Sequence, residues 1–151
     1  MQKLVKLLSD PEFTAAVEGE KLTFPADSIM LDEGSEGRDL FVITQGEALV
    51  SYELDDTLEH PARLAKLKVN DIFGELSLFD SGPRSAEVKA VSDCQVTKIS
   101  GASLLAFLDA RPEQGYYVLR DLLQHLIEQM RQNNMRTKMT LQMYFHEHED
   151  D

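Results

Sequence analysis

Residues 73–86 read Phe-Gly-Glu-Leu-Ser-Leu-Phe-Asp-Ser-Gly-Pro-Arg-Ser-Ala and set a glycine, a carboxylate and an arginine around one short turn. Each residue type suits a different part of a small sugar phosphate. Gly74, lacking a Cβ, lets the main chain approach a ligand. Glu75 offers an acceptor pair for a ribose hydroxyl. Leu76 to Phe79 are expected to form a brief helix whose free N–H groups favour an anion. Pro83 stiffens the approach to Arg84, whose planar fork matches two phosphate oxygens. Ser85 adds a hydroxyl, and Ser85 and Ala86 add backbone N–H groups. Both charged side chains are expected to face a solvated pocket. The plain alternative is a glycine turn closed by a surface salt bridge.

The surrounding chain has to hold that turn in place. Leu4, Val5, Leu7 and Leu8 suggest a short first helix, and Ser9-Asp10-Pro11 a second that ends near Gly19. Short β segments bounded by turn residues follow. They are Lys21–Phe24, Ser28–Leu31, Leu40–Thr44, Glu47–Leu54, Leu64–Val69, Ala86–Ala90 and Cys94–Ile99, with a polar loop from Asp55 to Pro61. This spacing predicts a mostly β chain with flanking helices, a β-roll or jelly roll. Helix returns at Ala102–Ala110 and again from Pro112. The expected divisions are N-terminal helices over 1–19, the roll over 20–100, C-terminal helices over 101–143 and an acidic tail over 144–151.

The last long helix carries a seam of Tyr116, Leu119, Leu123, Leu126 and Met130, spaced alternately by three and four. A flanking row of Leu122, Ile127, Met135, Met139 and Met143 widens its apolar surface. The seam predicts a homodimer.

Composition excludes several classes. The formal net charge is −12, from 27 acidic and 15 basic residues, and no basic patch for nucleic acid is visible. No apolar run reaches the length of a membrane span. Cys94 is the single cysteine, so no intrachain disulfide forms, and a cytoplasmic location is expected. The histidines are His60, His125, His146 and His148. They are too scattered for a metal-dependent enzyme, and Asp55-Asp56 reads as a solvated acidic pair. No catalytic or metal residues are assigned, and no enzyme activity is expected.

The run at 73–86 resembles the phosphate-binding cassette of the cyclic nucleotide-binding domain family, which includes the bacterial catabolite activator protein and the regulatory subunits of cAMP-dependent kinase. The stretch from Leu31 to Glu47, with turn glycines Gly34 and Gly46, looks like that family's early hairpin. The resemblance covers roughly residues 20–130. It implies that Glu75 takes the ribose 2′-hydroxyl and Arg84 the cyclic phosphate, with Gly74, Leu76, Ser85 and Ala86 lining the site. The long helix would act as a lid, with residues near Gln129 to Asn134 reading the base. The ligand is expected to be cAMP, with cGMP the alternative, since Ser85 suits either. Family members that read DNA add a helix-turn-helix after the long helix, and none follows here. The chain therefore reads as a sensor without a built-in output, which signals to a separate partner or is a fragment of something larger, and the opening Met1 is taken against an N-terminal truncation. A ligand-free interaction module, gripping a partner with its Met-rich helix, is the competing reading.

Overall fold

The computed structural model describes residues 2–17, 19–52, 62–80 and 82–149. The expected polar loop at 55–61, with His60, lies outside the described residues. Two short helices open the chain, α1 (Gln2–Leu8) and α2 (Pro11–Ala16). Asp10 caps α2 by accepting from the Glu12 N–H at 2.8 Å, and Pro11 occupies the first turn, where its missing N–H costs nothing.

Among the described residues eight strands follow: β1 (Gly19–Phe24), β2 (Ile29–Leu31), β3 (Leu40–Gln45), β4 (Ala48–Tyr52), β5 (Ala62–Leu67), β6 (Ile72–Phe73), β7 (Glu87–Ala90) and β8 (Cys94–Ile99). They form two four-stranded antiparallel sheets, ordered β1-β8-β3-β6 and β2-β7-β4-β5. This is the expected mostly β roll with flanking helices. β6 is an addition to the strands expected from sequence, since a two-residue strand shows no alternation to read.

The described residues form two apolar cores, and β3 belongs to both. Phe41 and Ile43 face the opposing sheet and pack with Met30, Ala48, Phe73, Val88, Ala90, Cys94 and Val96. Leu40 and Val42 face the other way, toward the helices, with Ile72 and Ile99 beside them. Successive side chains of a strand point to opposite faces, so one strand lines two cores.

The helical core is closed by α3 (Gly101–Asp109) and α4 (Pro112–His148). Leu104, Phe107 and Leu108 of α3 and Val118 and Leu122 of α4 pack there with Leu4, Leu7 and Phe13. Arg111, at the corner between α3 and α4, bonds Glu12 of α2 at 2.7 and 3.0 Å. Its guanidinium also covers the Phe107 ring at 3.9 Å. α4 runs past the expected boundary at 143 as far as His148, so residues 144–148 continue the helix rather than forming a separate tail. At 37 residues α4 is about 55 Å long, and from Met130 to Glu149 every side chain is exposed.

Candidate functional site

The cassette leaves β6 at Gly74, which adopts a left-handed conformation with φ of 83°. A Cβ there would lie 2.8 Å from the Asp39 carbonyl oxygen, so the position needs glycine for both its torsion and its space. The following helix is one 3₁₀ turn over Glu75–Ser77. It is earlier and shorter than the helix expected over Leu76 to Phe79. A single turn has no appreciable macrodipole, which leaves individual N–H groups as the donors. Leu76 contributes its main chain to this turn. Leu78, just beyond, is buried in the helical core, so the cassette is anchored to the helices.

Arg84 returns over the top of the turn. Its Nη1 donates to the Gly74 carbonyl at 3.0 Å and its Nη2 to the Asp39 carbonyl at 3.1 Å. Its main chain is held as well. The Arg84 N–H donates to Ser35 O, and the Gly34 N–H donates to Arg84 O, each at 2.8 Å. The early loop and the cassette, separated in sequence, are therefore hydrogen-bonded at the arginine. Phe41 stacks on Phe73 with centroids 4.9 Å apart, and the Arg84 guanidinium sits 5.9 Å from the Phe41 ring.

Both charged residues are more enclosed than the expected solvated pocket: Arg84 is 5% exposed and Glu75 is 8% exposed. Burial pushes the Glu75 carboxyl above its ordinary pKa, opposed by its own backbone N–H and by Arg84. Burial lowers the Arg84 pKa, opposed by the carboxylates of Asp39 and Glu75. Yet among the described residues no carboxylate lies within ion-pairing distance of Arg84, and its Nε has no hydrogen-bond partner. This differs from the surface salt bridge of the plain alternative. Two bonds from a cation to neutral carbonyls contribute about 1.5–3 kcal/mol each. Desolvating the ion costs several kcal/mol, and carbonyls leave its charge unneutralised.

Ser85 is exposed and Ala86 half-buried, both on the extended segment leading into β7. The structure thus brings Gly74, Glu75 and Arg84 together, carries Leu76 in the same turn, and places Ser85 and Ala86 just after the arginine.

Three contributors escaped the sequence reading. Gly37 has a φ of 151°, and a Cβ there would come 2.9 Å from Arg84 Nη2. Asp39 acts through its carbonyl, which no side-chain pattern reveals. His125 of α4 sits with its Nε2 3.9 Å from Glu75 Oε1. A signal for it did exist: Gly115, Val118, Leu122, His125 and Gln129 alternate spacings of three and four. Among the described residues no His, Cys, Asp and Glu cluster could hold a metal.

Comparison with known proteins bears on this geometry. A family model described as the cyclic nucleotide-binding domain matches residues 21–111, more than half of the chain. Over 107 residues the chain is 28% identical to a CRP-like cAMP-activated global transcriptional regulator of Mycobacterium tuberculosis, covering 71% of this chain and 47% of that protein. Over 110 residues it is 31% identical to the cAMP-activated global transcriptional regulator CRP of Haemophilus influenzae, covering 72% and 48%. A solved cyclic nucleotide-binding domain from Methylobacillus flagellatus KT is 31% identical with a TM-score of 0.67, covering 76% of this chain and 63% of that one. The chain spans about half the length of the curated relatives it matches.

Proposed function

Because the chain belongs to the cyclic nucleotide-binding domain family, we propose that it is a sensor of cAMP, acting in the cytoplasm and passing its signal through α4 to a separate protein. The observation that carries this reading is the buried Arg84 guanidinium, held by two carbonyls and, among the described residues, without a carboxylate in ion-pairing distance. A cyclic phosphate supplies the missing negative charge, bonding the arginine through a planar fork. Glu75 accepts the ribose 2′-hydroxyl beside it. The N–H groups of Gly74, Leu76, Ser85 and Ala86, with the Ser85 hydroxyl, complete the cradle. The role is regulatory, and no catalytic step is assigned to the site. The choice of cAMP over cGMP is supported by the cAMP-activated relatives.

α4 supplies the output. Its exposed row of Tyr116, Leu119, Leu123 and Met130 pairs with the same row of a second copy, and its projecting end carries the partner surface. The competing ligand-free module draws on the exposed Met135, Met139 and Met143 of that end.

Calorimetric titration separates the two. Wild-type protein binds cAMP, and saturating nucleotide raises its melting temperature. Arg84→Ala removes one partner of a desolvated ion pair and costs about 2–5 kcal/mol of binding, roughly a 30-fold to several-thousand-fold loss of affinity. Arg84→Lys keeps the charge, loses the fork and also binds poorly. If neither cAMP nor cGMP shifts the melting of the wild type up to millimolar concentration, the ligand-free module is the correct reading.

A further inference from the structure

The buried stripe of α4 ends in two half-buried polar residues. His125 Nε2 lies 2.9 Å from Gln129 Nε2, one turn along the helix, and 3.9 Å from Glu75 Oε1. An amide NH₂ donates, so the imidazole nitrogen offers Gln129 a lone pair. A carboxylate only accepts, so the same nitrogen must carry a proton to bond Glu75. One atom therefore faces two partners with opposite requirements; in the tautomer that accepts from Gln129 the proton sits on Nδ1, so a second proton, on Nε2, turns the ring toward Glu75 as a cation.

We propose that His125 is a positioning residue for nucleotide recognition: on protonation its Nε2 exchanges Gln129 for Glu75 and holds that carboxylate, ionised and oriented, for the ribose hydroxyl. This rests on the function proposed for the same site. In the ligand-free protein the charge on both groups is disfavoured. Burial lowers the His125 pKa and the chain's amino-terminal charge adds to that, while the carboxylates of Glu128 on α4 and Asp71 ahead of β6 oppose it. Burial likewise raises the Glu75 pKa, with Arg84 among the opposing groups.

A bound cyclic phosphate changes this balance. It neutralises Arg84, one of the groups that favour the Glu75 charge, and adds a negative charge to the site. Both effects favour proton uptake at the Glu75–His125 pair, and a proton carried by the imidazole leaves the carboxylate ionised. The carboxylate has about four lone-pair sites, so the imidazolium and the ribose hydroxyl bond to it together. The sign follows from linkage. A group whose pKa is higher in the complex than in the free protein makes binding tighter as pH falls through the bound value. The gain levels off below the free value, and one proton supports at most about tenfold per pH unit.

The test is cAMP titration by calorimetry between about pH 8 and pH 6, the range in which histidine titrates, in buffers of different ionisation enthalpy. Wild-type protein is expected to take up a fraction of a proton on binding and to bind more tightly toward the acid end. His125→Gln cannot take up that proton, and both the slope and the proton uptake are expected to disappear in it. A slope that persists unchanged in His125→Gln overturns the proposal, as does a wild-type affinity that is flat or weakens toward acid. NMR titration of the wild-type imidazole needs no variant. Saturation with cAMP is expected to raise its pKa, and an unchanged or lower value also overturns the proposal. Failure of cAMP and cGMP to bind at any pH removes the proposed function and this inference with it, a result distinct from binding without proton uptake.

Discussion

Two stripes run side by side along α4, one residue out of step. Gly115, Val118, Leu122, His125 and Gln129 are buried or half-buried, while Tyr116, Leu119, Leu123 and Met130 stand in solvent, with Leu126 half-buried between them. Leu122 is 3% exposed and its neighbour Leu123 is 57% exposed. The outer stripe is the more regular heptad pattern in the sequence. The inner one is broken by a glycine at one end and polar residues at the other. Each break answers to what lies opposite. A Cβ at Gly115 would lie 3.1 Å from the Leu108 carbonyl oxygen of α3, and His125 meets the Glu75 carboxylate. Burial follows the shape and chemistry of the facing surface, and apolar regularity alone marks a face free to meet something else.

The sharpest way to break this contrast is to truncate adjacent leucines. Leu122→Ala is expected to cost about 2–5 kcal/mol in denaturant unfolding, against about 0.5 kcal/mol or less for Leu123→Ala measured on the monomer. Equal losses would erase the distinction between the faces. Gly115→Ala gains about 1 kcal/mol of helix propensity but presses on main chain that cannot swing aside. With overpacking at about 1–3 kcal/mol, a net destabilisation is expected in the same assay. Leu119→Glu with Leu123→Glu is expected to leave the fold intact, changing monomer stability by about 0.5 kcal/mol or less per site, and to abolish self-association in sedimentation. A wild-type chain that stays monomeric at tens of micromolar would remove the outer stripe's assigned role.

The smallest effect runs the opposite way, toward greater stability. Glu75 has a folded pKa raised by burial. Below its unfolded pKa it is protonated in both states and neutral to stability. As pH rises toward the folded value, the unfolded chain releases its proton first and stability falls. Glu75→Gln is therefore expected to melt slightly higher than wild type at neutral pH without ligand, while binding cAMP more weakly. A lower apo melting temperature would show that the carboxylate supports the fold instead.

Much of the candidate site was legible because its parts are contiguous. Gly74, Glu75 and Arg84 fall within one short run, and their types alone suggest an anion and a hydroxyl. The strand Cys94–Ile99 was readable to its boundaries, since its turn residues and alternation agree. What escaped depends on contacts made at a distance. The Asp39 carbonyl, the close approach of Gly37 and the burial of Arg84 arise only when the early loop is hydrogen-bonded to the cassette. His125 lies far along the chain from Glu75, and its half-buried place becomes visible only once α4 is docked. The helix beyond 143 was missed because acidic residues were read as solvation, although Tyr144, Phe145 and His148 continue it, with the His148 Nδ1 2.8 Å from the Tyr144 carbonyl oxygen.

The position of β3 in both cores bears on how the protein comes apart. A strand with Leu40 and Val42 on one side and Phe41 and Ile43 on the other is a party wall, and neither room stands without it. The helical layer cannot melt away cleanly while the roll persists, because exposing Leu40 and Val42 strips one whole face of the central strand. The two cores therefore form one cooperative unit, and loss of order in either is expected to appear as a single calorimetric transition. The amides of Leu40 to Ile43 would then exchange with solvent only when the entire domain opens.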